Sequence, residues 1–147
     1  MTLLDAYALV ALVADEPAAD EVEAILRAGV ARVVVVNLAE AVDVSQRVHG
    51  LAADAIRDAL EPLLLASVLS SVVSDETHAW SAARIRADHY DRNTRALSMA
   101  DCFLLAHALA EEEEVATTDP EISNVARALG VNVLGLPDSR GKRPPAR

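Results

Sequence analysis

Lysine is almost missing from this 147-residue chain, with Lys142 the only one. A Walker-type nucleotide site needs a lysine in a glycine-rich loop, and a receiver-type phosphate-handling domain carries one after its last strand. Neither arrangement is available before residue 142, and the glycine pattern of a dinucleotide-binding fold is missing as well. The single cysteine, Cys102, excludes an internal disulfide; beside Asp101 on a mostly apolar stretch it reads as a small core residue rather than a nucleophile. Aromatic residues make up only 3 %, so Leu, Val, Ile and Ala must build the core. The first residues have no basic lead, and Asp5 and Asp15 interrupt their apolar run. That pattern fits neither a signal peptide nor a membrane span, and a cytoplasmic location is the expectation.

What is present is a 52 % apolar composition on a chain long enough for one domain with a substantial core. The net charge of −10 is unevenly placed. Residues 138–147, DSRGKRPPAR, carry +3, which leaves −13 on residues 1–137. The expected organisation is therefore a domain over 1–137 followed by a basic, proline-containing and mobile tail over 138–147. A nucleic-acid substrate would need a cation to meet the acidic field of the domain.

Thr2–Leu4 reads as a short buried strand, after which Asp5 caps a helix with Ala8, Leu9, Leu12 and Val13 inward. Asp15, Glu16 and Pro17 mark the start of a second helix, ending near Gly29. Residues 33–36 form a valine run too short for anything but an interior strand, and Asn37 with Glu40 then repeats a capping signature. A helix is expected over residues 51–66 with Pro62 as a local break, and a strand over 68–73. Ser74 or Asp75 opens a helix running to about Asp91, and a polar loop follows around Asn93 and Thr94. Ser98 with Asp101 makes another capping box, before a strand over 115–117, a helix starting at Asp119 and Pro120, and a last strand over 132–136. Strands alternating with helices predict a three-layer α/β domain with a central, mostly parallel sheet.

Ligands of an open parallel sheet bind beyond the carboxyl ends of its strands. Asp5, Glu40 and Asp119 each follow a predicted strand and so share that edge. Asp101 joins them by length: about 13 helical residues climb roughly 20 Å, and the next five or six extended residues return almost as far. Each acid is also a good helix-start residue, so capping alone would account for any one of them. Together, four carboxylates without a neighbouring lysine repel one another unless protonated or metal-bound. Hard oxygen donors without His or Cys suit Mg²⁺ or Mn²⁺. Asp43 could join them, but a salt bridge to Arg47 is an equal alternative. Residues 111–114, four consecutive glutamates, fall at the far end of the helix and read as a solvated turn. His49, His78, His89 and His107 show no ligand spacing.

With Asp5 in LLDAYALVAL, Glu40 in NLAEAVDV, Asp101 in LSMADCFLLAHALA and Asp119 in VATTDPEI, the chain resembles the PIN-domain nucleases and, more narrowly, the VapC-type toxins. The resemblance implies a PIN fold and divalent-metal-dependent, Mg²⁺-type endonucleolytic cleavage of RNA, with Asp5, Glu40, Asp101 and Asp119 as the acidic ligands. Asp5 and Asp101 are the expected direct or water-bridged ligands, with Glu40 and Asp119 completing the shell or orienting water. Thr117 matches an auxiliary small polar position, although a threonine ending a strand needs no such role. Arg84, Arg86, Arg92 and Arg95 lead toward Asp101 and could contact RNA phosphates or form surface salt bridges. The resemblance further implies a small antitoxin partner and a homodimer. An RNA-processing nuclease that is not a toxin, and a catalytically silent PIN-like binding module, are the alternatives.

Overall fold

The computed structural model describes residues 1–93 and 96–145. The elements run β1 (Thr2–Leu4), α1 (Ala6–Ala14), α2 (Ala19–Arg27), β2 (Ala31–Val34), α3 (Val35–Arg47), α4 (Ala53–Leu65), β3 (Leu69–Val72), α5 (Glu76–His89), α6 (Met99–Glu111), β4 (Glu114–Thr117), α7 (Pro120–Ala128) and β5 (Val133–Gly135). The strands form one five-stranded sheet of order β3-β2-β1-β4-β5, parallel at every pairing. This is the expected three-layer α/β architecture.

The alternation of side chains along a strand divides the core in two. Leu4, Val33, Leu69 and Ala116 face the layer built from α1, α2, α3 and α4, where Leu9, Val22, Val44 and Ile56 are buried. Leu3, Val34 and Val115 face the layer of α5, α6 and α7, where Ile85, Leu104, Leu105, Ile122 and Val125 are buried. Fully burying a Leu or Ile is worth about 1.5–3 kcal/mol, so the aliphatic side chains hold the layers without aromatic help. Among the described residues, no helix is long and apolar enough to cross a membrane.

The sheet order reverses between β1 and β4. From β1 the chain winds outward through β2 and β3 on one side, then returns to place β4 and β5 on the other. The carboxyl ends of β1 and β4 therefore border the crevice where such folds bind ligands.

Four local expectations change. The valine run gives strand only as far as Val34; Val35 and Val36 already belong to α3 and are partly solvent-exposed. Asn37 consequently lies inside the first turn instead of capping it. Val34 occupies the cap position with no side-chain acceptor, and Asn37 is 0 % exposed with neither amide atom hydrogen-bonded. Pro62 does not break α4, which continues to Leu65. The glutamate run is not simply solvated. Glu112 adopts a left-handed conformation (φ 54°) that ends α6 and turns Glu113 inward, where it is 6 % exposed and paired with Arg32 of β2. Glu114 accepts a hydrogen bond from the Thr2 hydroxyl at 3.4 Å.

The basic segment after β5 is also held in place. Arg143 pairs with Glu21 at 2.5 Å and donates to the Gly135 carbonyl at 2.7 Å. Pro144 is buried over Gly135, where an added Cβ would stand 3.5 Å from the proline ring. Through residue 145 the basic segment thus lies against α2 and β5.

Removing one member of a largely buried ion pair strands the other. Arg32→Met is expected to cost roughly 3 kcal/mol in urea denaturation by leaving Glu113 uncompensated, and Arg32→Met with Glu113→Leu to recover most of that loss. Equal stability of the single variant and the parent would show that the pair carries no weight.

Candidate functional site

Asp5 ends β1 and caps α1, so its carboxylate is placed by two elements at once. Oδ1 accepts the Ala8 amide at 2.6 Å, and Oδ2 accepts a short hydrogen bond from the Thr117 hydroxyl at the end of β4. The Thr117 oxygen in turn accepts the Asp119 amide at 2.9 Å. A single threonine therefore joins the ends of β1 and β4 at the point where the sheet order reverses. Asp5 is 1 % exposed; burial pushes its carboxyl up to about 7, against the opposing effect of the bonds from Thr117 and Ala8, with Asp101 and Asp119 adding to the rise.

Asp101 stands at the third position of α6 in a reciprocal capping box. Its Oδ2 accepts the Ser98 amide at 2.6 Å while its own amide donates to the Ser98 hydroxyl oxygen at 3.0 Å. Burial raises the Asp101 carboxyl, the bonds from Ser98 lower it, the Asp119 charge raises it and the Arg86 charge lowers it. Glu40, on α3 one turn after Asn37, is raised by burial and by the charges of Asp101 and Asp43, with the nearby Ser98 side chain opposing the rise. Asp119 caps α7 ahead of Pro120, its Oδ1 accepting the amides of Glu121 at 2.6 Å and Ile122 at 3.4 Å.

The four acids are thus electrostatically linked with Asp101 at their centre, coupled to Glu40, Asp5 and Asp119. Asp43 is turned away, its Oδ2 2.9 Å from Arg47 on the exposed side of α3. Among the described residues no three His, Cys, Asp or Glu side chains converge tightly enough to enclose an ion by themselves. The donor set nevertheless fits a hard divalent cation that keeps several waters and takes one or two carboxylates directly. Its donors are oxygens, neighbouring carboxylates raise Asp5, Glu40 and Asp101, and among the described residues Arg86 supplies positive charge at Asp101.

The arginines divide. Arg86 donates to the Leu97 carbonyl at 2.8 Å and lies over the Tyr90 ring at 4.5 Å, fixed beside the acids. Arg84 lines a groove with Trp80, Asp88 and Leu109, away from them. Arg92 is exposed, and Arg95 lies outside the described residues. Cys102 is buried and its thiol is pushed up to about 11 by that burial and by Asp101, which suits a packing role.

Three features escape a reading by local pattern. Ser98, legible as a cap, also lies close enough to Glu40 to lower its carboxyl. His78 and His107, on neighbouring helices, stack with centroids 3.7 Å apart, and His107 Nε2 lies 2.9 Å from the Ser74 hydroxyl. Burial first, then the His78 and Arg32 charges, lower His107 to about 4 and keep it neutral. A pocket beside Asp119 is lined in part by Tyr7, His49 and Ser139, which no motif connects.

An acid that holds its proton more tightly when folded favours the fold at low pH. For Asp5, with an ordinary value of 3.8 and a folded value of about 7, that contribution is complete below about 4 and lost as pH rises to 7; Glu40 and Asp101 act in the same direction. In chelator, the melting temperature is expected to fall by roughly 3–10 °C between pH 5 and pH 8, and Asp5→Asn to flatten that slope. A melting temperature that rises over this range would contradict the arrangement.

The PIN-domain family model matches residues 2–128. Comparison with curated proteins finds no match. Among solved structures, the chain is similar to a chain of the VapBC2 complex of Rickettsia felis bound to a promoter DNA fragment, with a TM-score of 0.66 at 13 % identity over 90 % of this chain and 96 % of that one. It is also similar to a chain of FitAcB from Neisseria gonorrhoeae, at 0.60 and 23 % over 91 % and 96 %, and to one of a toxin-antitoxin complex from Klebsiella pneumoniae, at 0.59 and 16 % over 82 % and 88 %. These likenesses describe the fold, and the family match extends across every element that bears one of the four acids: the chain belongs to the PIN-domain family.

Proposed function

We propose that this chain is a divalent-metal-dependent endoribonuclease and the toxin of a VapBC-type pair, acting in the cytoplasm. The observation that carries the reading is the set of carboxylates coupled through Asp101 at the sheet's switch point. Membership of a nuclease family supports the reaction class, and the toxin-antitoxin assemblies among its structural neighbours support the biological setting.

Bound Mg²⁺, or Mn²⁺ in its place, would polarise the scissile phosphate and make a bound water nucleophilic near neutral pH. The protein's own contribution is placement. Ala8 and Thr117 fix both oxygens of Asp5, so its carboxylate cannot rotate without losing a hydrogen bond. Ser98 fixes one oxygen of Asp101, and the amides of α7 fix one oxygen of Asp119. Each of the latter two thus keeps a second oxygen for a cation or an attacking water. Glu40, whose carboxyl Asp101 influences, is suited to orient that water. Arg86, close enough to act on Asp101, is the arginine best placed to meet a phosphate at the acids.

The partners in this reading are an RNA substrate, a small antitoxin and a second copy of the chain. Val73, Trp80 and Leu109 leave apolar surface on the outside of the fold, with Trp80 79 % exposed, and such surface is suited to a protein partner.

The decisive measurement is cleavage of RNA by the purified chain in Mg²⁺, Mn²⁺ and chelator, with the cut ends mapped. Cleavage is expected only with metal, and Asp5→Asn or Asp101→Asn to lower kcat about 10³-fold while circular dichroism stays native. Undiminished cleavage by either variant would remove the assignment. Millimolar Mg²⁺ is also expected to raise the melting temperature at pH 8; no shift would reduce the acids to helix caps.

A further inference from the structure

The acid cluster does not stand alone at its edge of the sheet. A pocket of about 360 Å³ opens beside Asp119, with Tyr7 and Glu16 from the α1 side, His49 from the end of α3, and Asp138 and Ser139 from the segment after β5. That volume is within the range of small-ligand sites, enough for one nucleoside and far too small for a helix. The pocket and the catalytic candidates share Asp119, so an occupant would lie next to the reacting phosphate.

Its lining suits a base. Tyr7 is 47 % exposed in a protein with very few aromatic residues, two positions after Asp5 and at the mouth of this pocket. Glu16, 3.7 Å from His49, places a carboxylate acceptor in the same lining. Every base offers a π-face to an aromatic platform, and a carboxylate accepts from amino or imino edges.

Its outer wall is a fixed turn. The Asp138 Oδ1 accepts the Arg140 amide at 2.9 Å and the Lys142 amide at 2.8 Å. Backbone bonds from Asp138 to the Lys142 carbonyl and from Gly141 to the Asp138 carbonyl, both 2.8 Å, close the turn, and Gly141 at φ 76° permits it. Leu136 donates to the Thr117 carbonyl at 2.8 Å, which ties the segment to the strand that carries the acid site. Arg143 is engaged with Glu21 and Gly135, whereas Arg140 and Lys142 are exposed in the turn. On a domain that carries −13 elsewhere, two such cations beside an acidic centre complement a phosphate backbone.

We propose that this pocket is a nucleotide subsite. Tyr7 stacks on the unpaired base adjoining the scissile phosphate, and the 138–142 turn, through Arg140 and Lys142, holds the RNA backbone on that side. The assignment rests on the ribonuclease reading above. It gives the basic segment a role as part of the substrate surface and restricts the substrate to RNA that is single-stranded at the cut.

The test uses the full chain and a single-stranded RNA 12-mer spanning a mapped cut, with 2-aminopurine substituted at successive positions around it. One position next to the cut is expected to be quenched on binding. Tyr7→Ala should abolish that quenching and weaken binding roughly 5- to 100-fold, and Tyr7→Phe should restore both. Arg140→Ala with Lys142→Ala should weaken binding to every sequence and reduce the salt dependence, by about one in log–log slope for each charge removed. The loss should fall in KM rather than in kcat, a split that a damaged fold would not produce. If the parent chain cuts RNA while both variant sets bind and quench as it does, the subsite is overturned and the ribonuclease reading stands. Variants that bind and cut RNA normally but lose a protein partner would make the pocket a protein-docking site instead. A parent chain that cuts no RNA overturns both readings.

Discussion

The carboxylate of Asp5 lies almost wholly out of water, and a hydroxyl from a strand more than a hundred residues away helps to keep it there. Much of the site follows from that constraint. A buried acid must be hydrogen-bonded, so the end of β4 must stand beside the end of β1 to supply Thr117. That neighbourhood requires the reversal of strand order, and the reversal opens the crevice to which Asp101 and Asp119 are brought. The same hydroxyl oxygen receives the Asp119 amide, so the geometry of one acid is transmitted to the other through a single atom. Replacing the threonine with an aliphatic residue would leave Asp5 with an unanswered oxygen in a place where water has little access.

Much of this was legible in the sequence because helix capping and the topology of the sheet act on the same residues. Asp5, Asp101 and Asp119 are recognisable as helix starts, and each helix start lies where the α/β topology gathers its ligands. The capping box of Ser98 and Asp101 forms as its spacing implies, with both reciprocal bonds present. The readings that changed depend on partners distant in the chain. Residues 33–36 look like uninterrupted strand, but β2 stops level with its neighbours and the remaining valines enter a helix. Asn37 has the right spacing for a cap, yet the earlier start of α3 carries it into the interior. Glu113 is one of four identical residues, and only the turn at Glu112 separates it from the others and brings it to Arg32. The strap formed by Arg143 and Pro144 depends on Glu21 and Gly135, which a tail composition cannot reveal.

Charge is arranged just as specifically. The domain is strongly acidic, and three of the cations have particular tasks: Arg32 in a buried pair, Arg86 on a carbonyl and a tyrosine face, and Arg143 in the strap. Arg140 and Lys142 are exposed in the turn that follows β5.

The central position of β1 has a further meaning for assembly in time. β1 precedes the other four strands of the sheet in sequence, but it pairs with β2 on one side and with β4 on the other, and β4 begins only at residue 114. Contacts so distant in sequence form slowly, because a long loop must close before any packing compensates. During synthesis, therefore, one edge of β1 stays open until β4 has been made, and Asp5 lacks the hydroxyl that positions it. A growing chain carries its acids separately, and they become a single centre only when the second half of the protein has folded against the first.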